Sequence, residues 1–263
     1  MLQTKFRSKL NARFKRWYHP DRGPRLSFLA RLVNKTAMYP YVIAKGLDLP
    51  KRYADVASID EIDFAMLPGR YVIKPSNASV CAGVMLFAEE IELFSGDRVP
   101  IPSRAAYARE KIASIQDKCV NGETRIIVEE LVQDCDPAYA IPRDFKVFVA
   151  GKAHIIQVIN RNGPRKSWSH SFYLRDWEFI DQEVQIGNRQ DPKMERPEKL
   201  DELLEVADLI AADLKCFYRL DFYMTPRGPV FGEFTSYPAG GKCFTPFGDR
   251  LMCDLMDGYP DAV

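Results

Sequence analysis

Apolar residues recur every three to four positions at Phe6, Leu10, Phe14 and Trp17, which predicts a first helix with one apolar and one cationic face. His19-Pro20 and Gly23-Pro24 interrupt that pattern, so residues 1–34 read as short basic helices. A further helix is predicted from about Asn34 to Lys45, closed by Gly46. Asp48-Leu49-Pro50 then leads into a short extended link. Tyr71-Val72-Ile73-Lys74 is rich in β-forming residues, with Val84–Phe87 as its predicted hairpin partner. A helix is predicted over Arg104–Gln116. Strands follow at Arg125–Leu131, Phe145–Ala150 and Ala153–Ile159, the last two joined by a tight Gly151-Lys152 turn. Glu198–Leu214 returns to the helical period. Strands Tyr218–Tyr223 and Val230–Phe234 meet across Pro226-Arg227-Gly228. Adjacent hairpins mixed with helices predict an α+β class and not a doubly wound sheet.

Composition narrows the setting. The chain has 263 residues, 46% of them hydrophobic and 12% aromatic, enough for one large domain or two packed ones. A net charge of +1 dictates no partner. The charge is uneven, however: residues 1–35 hold ten Lys and Arg residues against the single acid Asp21, which leaves the rest net acidic. Such a basic stretch reads either as the solvated face of a helix packed on the body, or as a contact for an anionic membrane or polyanion. Aromatics are sparse among these cations and no known module is present, so specific nucleic-acid binding is not expected. The six cysteines show no paired spacing, which suits free thiols in a reducing compartment. No apolar run follows the basic start as in a signal peptide, and none nears the roughly 18 residues of a membrane span. The expectation is a cytoplasmic protein, with peripheral contact at the inner membrane face through residues 1–35 as an option.

Four stretches carry candidate chemistry. Lys74 ends a strand before Pro75-Ser76-Asn77-Ala78-Ser79-Val80-Cys81-Ala82-Gly83, where its ammonium, the backbone amides and the Ser79 hydroxyl could meet phosphate oxygens. A surface lysine on an ordinary strand is the plainer reading. Glu129, Glu130, Leu131 and Val132 end a strong strand whose exit exposes backbone groups to an adenine edge, or else they are an ordinary half-buried strand end. Period two puts Asp144 and Lys146 on one face, either for ribose and phosphate or as a mutual ion pair. Asp221 and Glu233 lie on consecutive strands across a short turn, each within apolar sequence. Two buried carboxylates side by side repel unless a cation lies between them. Mg²⁺, which takes oxygen ligands and shares its shell with phosphates, is the natural candidate. The competing reading pairs one acid with Arg219.

In this order the stretches resemble the ATP-grasp superfamily, and most nearly its TupA-like branch. The matching motifs are Leu67–Pro75, Asp144–Lys146, Arg219–Asp221 and Phe231–Thr235, and the resemblance spans about Asn34 to Gly248. It implies an ATP-grasp fold of two α+β subdomains clasping the nucleotide. The division would be 1–68 (a basic helical segment and pre-ATP-grasp portion), 69–132 (a lid subdomain) and 133–263 (the metal-binding catalytic subdomain). It implies that Lys35, Lys74 and Lys146 contact phosphates, with Glu129 through Val132 as the adenine hinge. Asp144 would hold ribose, with Asp134 or Asp136 as substitutes. Asp221 and Glu233 would bind magnesium. Arg161 matches an arginine near the acyl-acceptor site. Superfamily ligases carry Glu-x-Asn at the last metal strand, whereas Thr235 stands third here and offers a weaker oxygen. The loop after Lys74 is also poor in glycine.

The activity implied is an ATP- and magnesium-dependent carboxylate–amine ligase acting through an acyl phosphate, in cell-surface polymer or secondary-metabolite biosynthesis. Its partners would be a small-molecule or glycan-linked carboxylate and an amine, with Lys146, Arg161 and Arg219 neutralising charge during transfer. The alternatives are a kinase acting on a hydroxyl with the same fold, and a non-catalytic scaffold with a basic arm. Asn162–Ser171, with Trp168 and His170, reads either as a substrate lip or as a flexible loop. Tyr237–Lys242 follows the metal strand and could also meet the acceptor.

Overall fold

A computed structural model describes residues 4–78, 81–115, 124–163, 165–187 and 189–258. Its helices are α1 (Lys5–Trp17), α2 (Pro24–Arg31), α3 (Tyr39–Ala44), α4 (Ile101–Ala113), α5 (Leu200–Leu214) and α6 (Pro246–Asp257). Strands β1 (Arg52–Val56), β2 (Arg70–Pro75), β3 (Met85–Ala88), β4 (Ile91–Glu92) and β5 (Ile126–Glu130) form a small antiparallel sheet in the order β1-β5-β2-β3-β4. Strands β6 (Asp144–Ala150), β7 (Ala153–Asn160), β8 (Ser169–Leu174), β9 (Arg189–Gln190), β10 (Tyr218–Thr225) and β11 (Gly228–Thr235) form a larger sheet ordered β11-β10-β6-β7-β8-β9. The α+β class holds, and each strand predicted from alternation is present. β1 comes from before residue 69, so the small sheet begins earlier in the chain than the expected lid boundary.

Alternation makes the large sheet two-faced. Phe145, Val147, Val149, Leu220, Phe222 and Met224 point to one side and pack against Leu203, Ala207, Ile210 and Leu214 of α5. On the other side, Phe148, Ile155 and Phe172 are covered by Phe6 and Leu10 of α1 and by Met252 of α6. That leaves the neighbouring part of this second face for polar side chains. The small sheet has its own core of Tyr71, Ile73, Met85, Phe87, Ile126 and Val128, closed by Ala108 of α4.

Three sequence expectations change. The helix expected from Asn34 to Lys45 shrinks to α3, because the Asn34 side chain accepts from Thr36 N at 2.9 Å and Ala37 N at 3.0 Å and holds turns there instead. Gly46 still closes it at φ +69°. The first helix turns Phe6, Leu10, Arg13 and Trp17 inward, while Phe14 stays 47% exposed and stacks on Tyr18 at 4.3 Å. Its apolar face is thus spent on packing against the body, as the plainer of the two readings had it. Finally, Ser169–Ser171 of the expected lip or loop belong to β8, with His170 buried. Among the described residues no helix is long and apolar enough to cross a membrane.

Candidate active site

Register builds the site. Across β11, β10, β6 and β7, Glu233 pairs with Asp221, Asp221 with Lys146, and Lys146 with Gln157. One step along, Tyr223 pairs with Asp144, Asp144 with Ile159, and Ile159 with His170 of β8. Period two puts both rows on the face left open by α1 and α6. A bulge between Asp221 and Phe222 gives Gly232 no partner of its own; a Cβ there would lie 3.1 Å from the Asp221 carbonyl oxygen. Glycine lets the two acidic strands close up at this point.

The carboxylates do not face each other bare. Arg219 donates to both oxygens of Asp221, at 2.6 and 2.7 Å, and reaches Glu233 at 3.5 Å. Lys146 Nζ bonds Asp221 Oδ2 and lies 3.3 Å from Asp144 Oδ2, which Arg161 also engages. Burial alone would raise the Asp221 carboxyl pKa, but Arg219 and Lys146 overcome it and hold it well below the usual carboxylate range. Asp144 behaves likewise: burial pushes it up, and Arg161 and Lys146 bring it down. The repulsion expected between buried acids is therefore already relieved. Arg219 thus pairs with Asp221, as the competing sequence reading had it.

The second wall brings further charges. Lys74 pairs with Glu129 on the neighbouring strand. Lys35, from the segment before α3, sits 3.6 Å from Glu233 and 3.5 Å from the Ala78 carbonyl, so it spans from the loop after β2 to the large sheet. Ser79 lies outside the described residues. Thr235 ends β11 opposite Arg219 on the Glu233 face. Leu131 and Val132 are buried at the exit of β5. Glu130 turns away: Arg227 grips both its oxygens at 2.8 Å, and Lys51 N donates to it at 3.1 Å. Asp134 is committed elsewhere, accepting from the Arg143 backbone at 2.8 Å and its guanidinium at 3.0 and 2.6 Å. Asp136 accepts from Ala138 N at 3.0 Å. Trp168 meets Phe94 of the small-sheet side at 5.5 Å and lies under Arg161 at 5.4 Å.

The structure therefore brings together Lys35, Lys74, Glu129, Asp144, Lys146, Arg161, Arg219, Asp221, Glu233 and Thr235. Two members of the face went unread in the sequence, Gln157 and Tyr223. Burial raises the Tyr223 phenol pKa well above its ordinary value, and Asp144 and Glu129 add to it. Tyr223 shares strand parity with Asp221, and Gln157 falls opposite Lys146 across the tight Gly151-Lys152 turn, which was the available signal. Elsewhere, a cavity of about 810 Å³ is lined by Lys152, His154, Arg175 and Arg196. Its arginines are already paired, Arg175 with Asp208 and Arg196 with Asp201.

Two sheets, the small one antiparallel and the large one antiparallel but for its β8–β9 pair, with lysines and paired acids between them, define an ATP-grasp fold. Within that class the chain belongs to the TupA-like ATPgrasp family, whose sequence profile matches residues 19–256. No curated protein matches it. Among solved structures, a D-alanine–D-alanine ligase from Bacillus anthracis is 13% identical with a TM-score of 0.51, over 87% of this chain and 67% of that one. The same enzyme complexed with ATP gives 13% and 0.50, over 87% and 66%. The ligase from Helicobacter pylori gives 15% and 0.49, over 87% and 61%. The chain thus spans 61–67% of the length of these enzymes.

Proposed function

We propose that this protein is an ATP- and magnesium-dependent carboxylate–amine ligase that works through an acyl phosphate. The observation that carries this is the charge arrangement. Five cations (Lys35, Lys74, Lys146, Arg161, Arg219) stand against four carboxylates (Glu129, Asp144, Asp221, Glu233), and several of the ion pairs are poised to exchange a protein partner for a ligand. Such a cleft suits a polyphosphate carried with a divalent cation.

Asp221 and Glu233, with the Thr235 hydroxyl beside them, offer hard oxygen donors that fit magnesium. When bound there, the ion would neutralise the β- and γ-phosphates. Lys35 and Lys74 would bind phosphate oxygens from the lid side and Lys146 from the floor, while the backbone at Glu129–Val132 would meet the adenine edge. Asp144, expected as a ribose acceptor, holds Arg161 and Lys146, and in the reaction it would keep Arg161 aimed at the substrate carboxylate. That carboxylate oxygen attacks the γ-phosphorus, a C–O–P bond forms, the bond to the β-phosphate oxygen breaks and ADP leaves. An amine nitrogen then attacks the acyl carbon, loses a proton, and phosphate departs. Lys146, Arg161 and Arg219 offset the charge, and the Phe94–Trp168 contact helps keep water from the acyl phosphate. The proposed setting is the cytoplasmic assembly of a cell-surface polymer or secondary metabolite.

A melting scan of the full chain tests the nucleotide reading. Mg-ATP at 100 times its Kd stabilises by about 2.7 kcal/mol, on the order of 5–10 °C for a chain of this size. No shift with millimolar Mg-ATP and well-folded protein overturns the proposal. Products then distinguish it from a kinase on the same fold, since the ligase yields an amide and free phosphate.

A further inference from the structure

Gln157 is an anomaly on β7, whose residues 155–159 are otherwise Ile, Ile, Val and Ile, and it is only 3% exposed. A primary amide at that depth requires its hydrogen bonds from the protein or from a ligand. Nε2 donates to Gln185 Oε1 at 2.9 Å and lies 3.4 Å from His170 Nδ1. Gln157 Oε1 and Gln185 Nε2 have no hydrogen-bond partner among the described residues. Neither is sealed off as a buried orphan. One acceptor and one donor therefore remain available next to Lys146, the direct partner of Gln157 across β6 and β7.

The surroundings of this pair are built with care for position. Gln185 pairs with Phe244, and Ile186 N donates to the Cys243 carbonyl at 2.9 Å, so the segment is pinned to the chain that returns from β11. That return holds Ala239, Gly240, Gly241 and Cys243 at φ between +51° and +64°. Non-glycine residues take such angles rarely, and at a cost the surrounding structure must hold. The three side chains themselves carry no charge, although Asp191 and Glu183 act on the His170 ring. Burial lowers the His170 pKa against the opposing pull of Asp191 and Glu183, which favours the neutral ring. A free amide acceptor and a free amide donor side by side fit a hydroxyl, which gives and takes one hydrogen bond from a single atom.

We infer that Gln157, oriented by Gln185 and His170, determines specificity for the acid substrate by reading a hydroxyl near the carboxylate that Lys146 and Arg161 receive, so that the substrate class is a hydroxylated or sugar acid. The inference rests on the ligase reading above. Gluconate and hexanoate test it, since they share length and carboxylate and differ in hydroxyls. Each is supplied to the full chain with Mg-ATP and hydroxylamine, which traps an acyl phosphate as its hydroxamate. Gluconate should give at least about tenfold more hydroxamate than hexanoate, the scale of one hydrogen bond in a desolvated site. Gln157→Leu should remove that preference while leaving the Mg-ATP melting shift in place, and Gln185→Ala, at a half-buried position, should weaken it if Gln157→Leu does not fold. Equal use of the two acids, including none of either, with the Mg-ATP shift intact overturns this inference alone, as does a preference that survives both substitutions. Loss of the shift in the parent protein overturns the nucleotide reading instead.

Discussion

Asp221 is the residue on which the site's stability and its proposed chemistry converge. It is the shared counter-ion of buried Lys146 and of the largely enclosed Arg219, whereas Glu233 is more exposed and touches its cations only at 3.5 and 3.6 Å. The two acids were read from the sequence as a symmetric pair, and in the register they are. Their surroundings are not, because a guanidinium two residues along β10 folds back onto Asp221, and side-chain direction of that kind is not written in spacing. Asp221→Asn therefore strands a buried lysine and a largely enclosed guanidinium and should cost about 3–5 kcal/mol in the ligand-free protein. Glu233→Gln should change stability by less than about 1 kcal/mol, in the range of exposed ion pairs, yet abolish the magnesium-dependent part of the ATP shift. Melting both variants with ATP, with and without magnesium, checks this. A full magnesium-dependent shift in Glu233→Gln would remove Glu233 from the metal site.

Among the elements, those with strong alternation or helical period were legible: β2, β5, β6, β7, β10, β11 and α5 all fall near their predicted bounds. β1, β4 and β9 were not: β1 is held by β5, far along the chain, whereas β4 and β9 are two-residue strands too short to show alternation. α6 carried a signal that went unread: Thr245 accepts from Gly248 N at 3.0 Å as an N-cap, and Pro246 follows it. The junction between sheets was legible least of all. The tip of the β10–β11 hairpin reaches the end of β5, where Arg227 holds both oxygens of Glu130 and also Asp48 at 2.6 Å. Arg227 holds the Glu130 carboxyl below its ordinary pKa. This clamp fixes the strand exit that is proposed to meet adenine. Because Arg227 is partly exposed, Arg227→Gln should cost under about 1 kcal/mol of stability. It should nonetheless weaken Mg-ATP binding several-fold by calorimetry, because the hinge loses its fixed direction. Unchanged affinity would reduce the cluster to a surface ion network.

At the scale of the whole molecule, the uneven charge of the first 35 residues left open a helix packed on the body or a contact for a polyanion, and α1 is packed on the body. Phe6 meets Phe217 and Phe244 edge-on at 5.9 and 5.1 Å. Arg13 is buried, with Nη1 3.2 Å from the Ser236 carbonyl and its guanidinium 3.9 Å from the Trp17 ring centroid. Asp249 of α6 accepts from the backbone of Lys5 and Phe6 at 3.2 and 3.0 Å, capping the start of α1 from a point more than 240 residues away in sequence. The amphipathic period was visible from the start; its partner was not, because α6 and the return from β11 come last in the chain. The first helix thus closes the core beneath the site, and of its cations Lys5, Lys15 and Arg16 face water. Leu10, fully enclosed, is the sharpest probe. Leu10→Ala should destabilise by about 2–5 kcal/mol through lost burial and the cavity left behind. That corresponds to a melting decrease on the order of 5–15 °C at this size. Lys15→Ala, on the exposed side of the same helix, should stay within about 0.5 kcal/mol of the parent. If Leu10→Ala melts with the parent, α1 is an appendage and the basic segment regains its standing as a free arm; a large drop for Leu10→Ala beside a silent Lys15→Ala places the helix in the core.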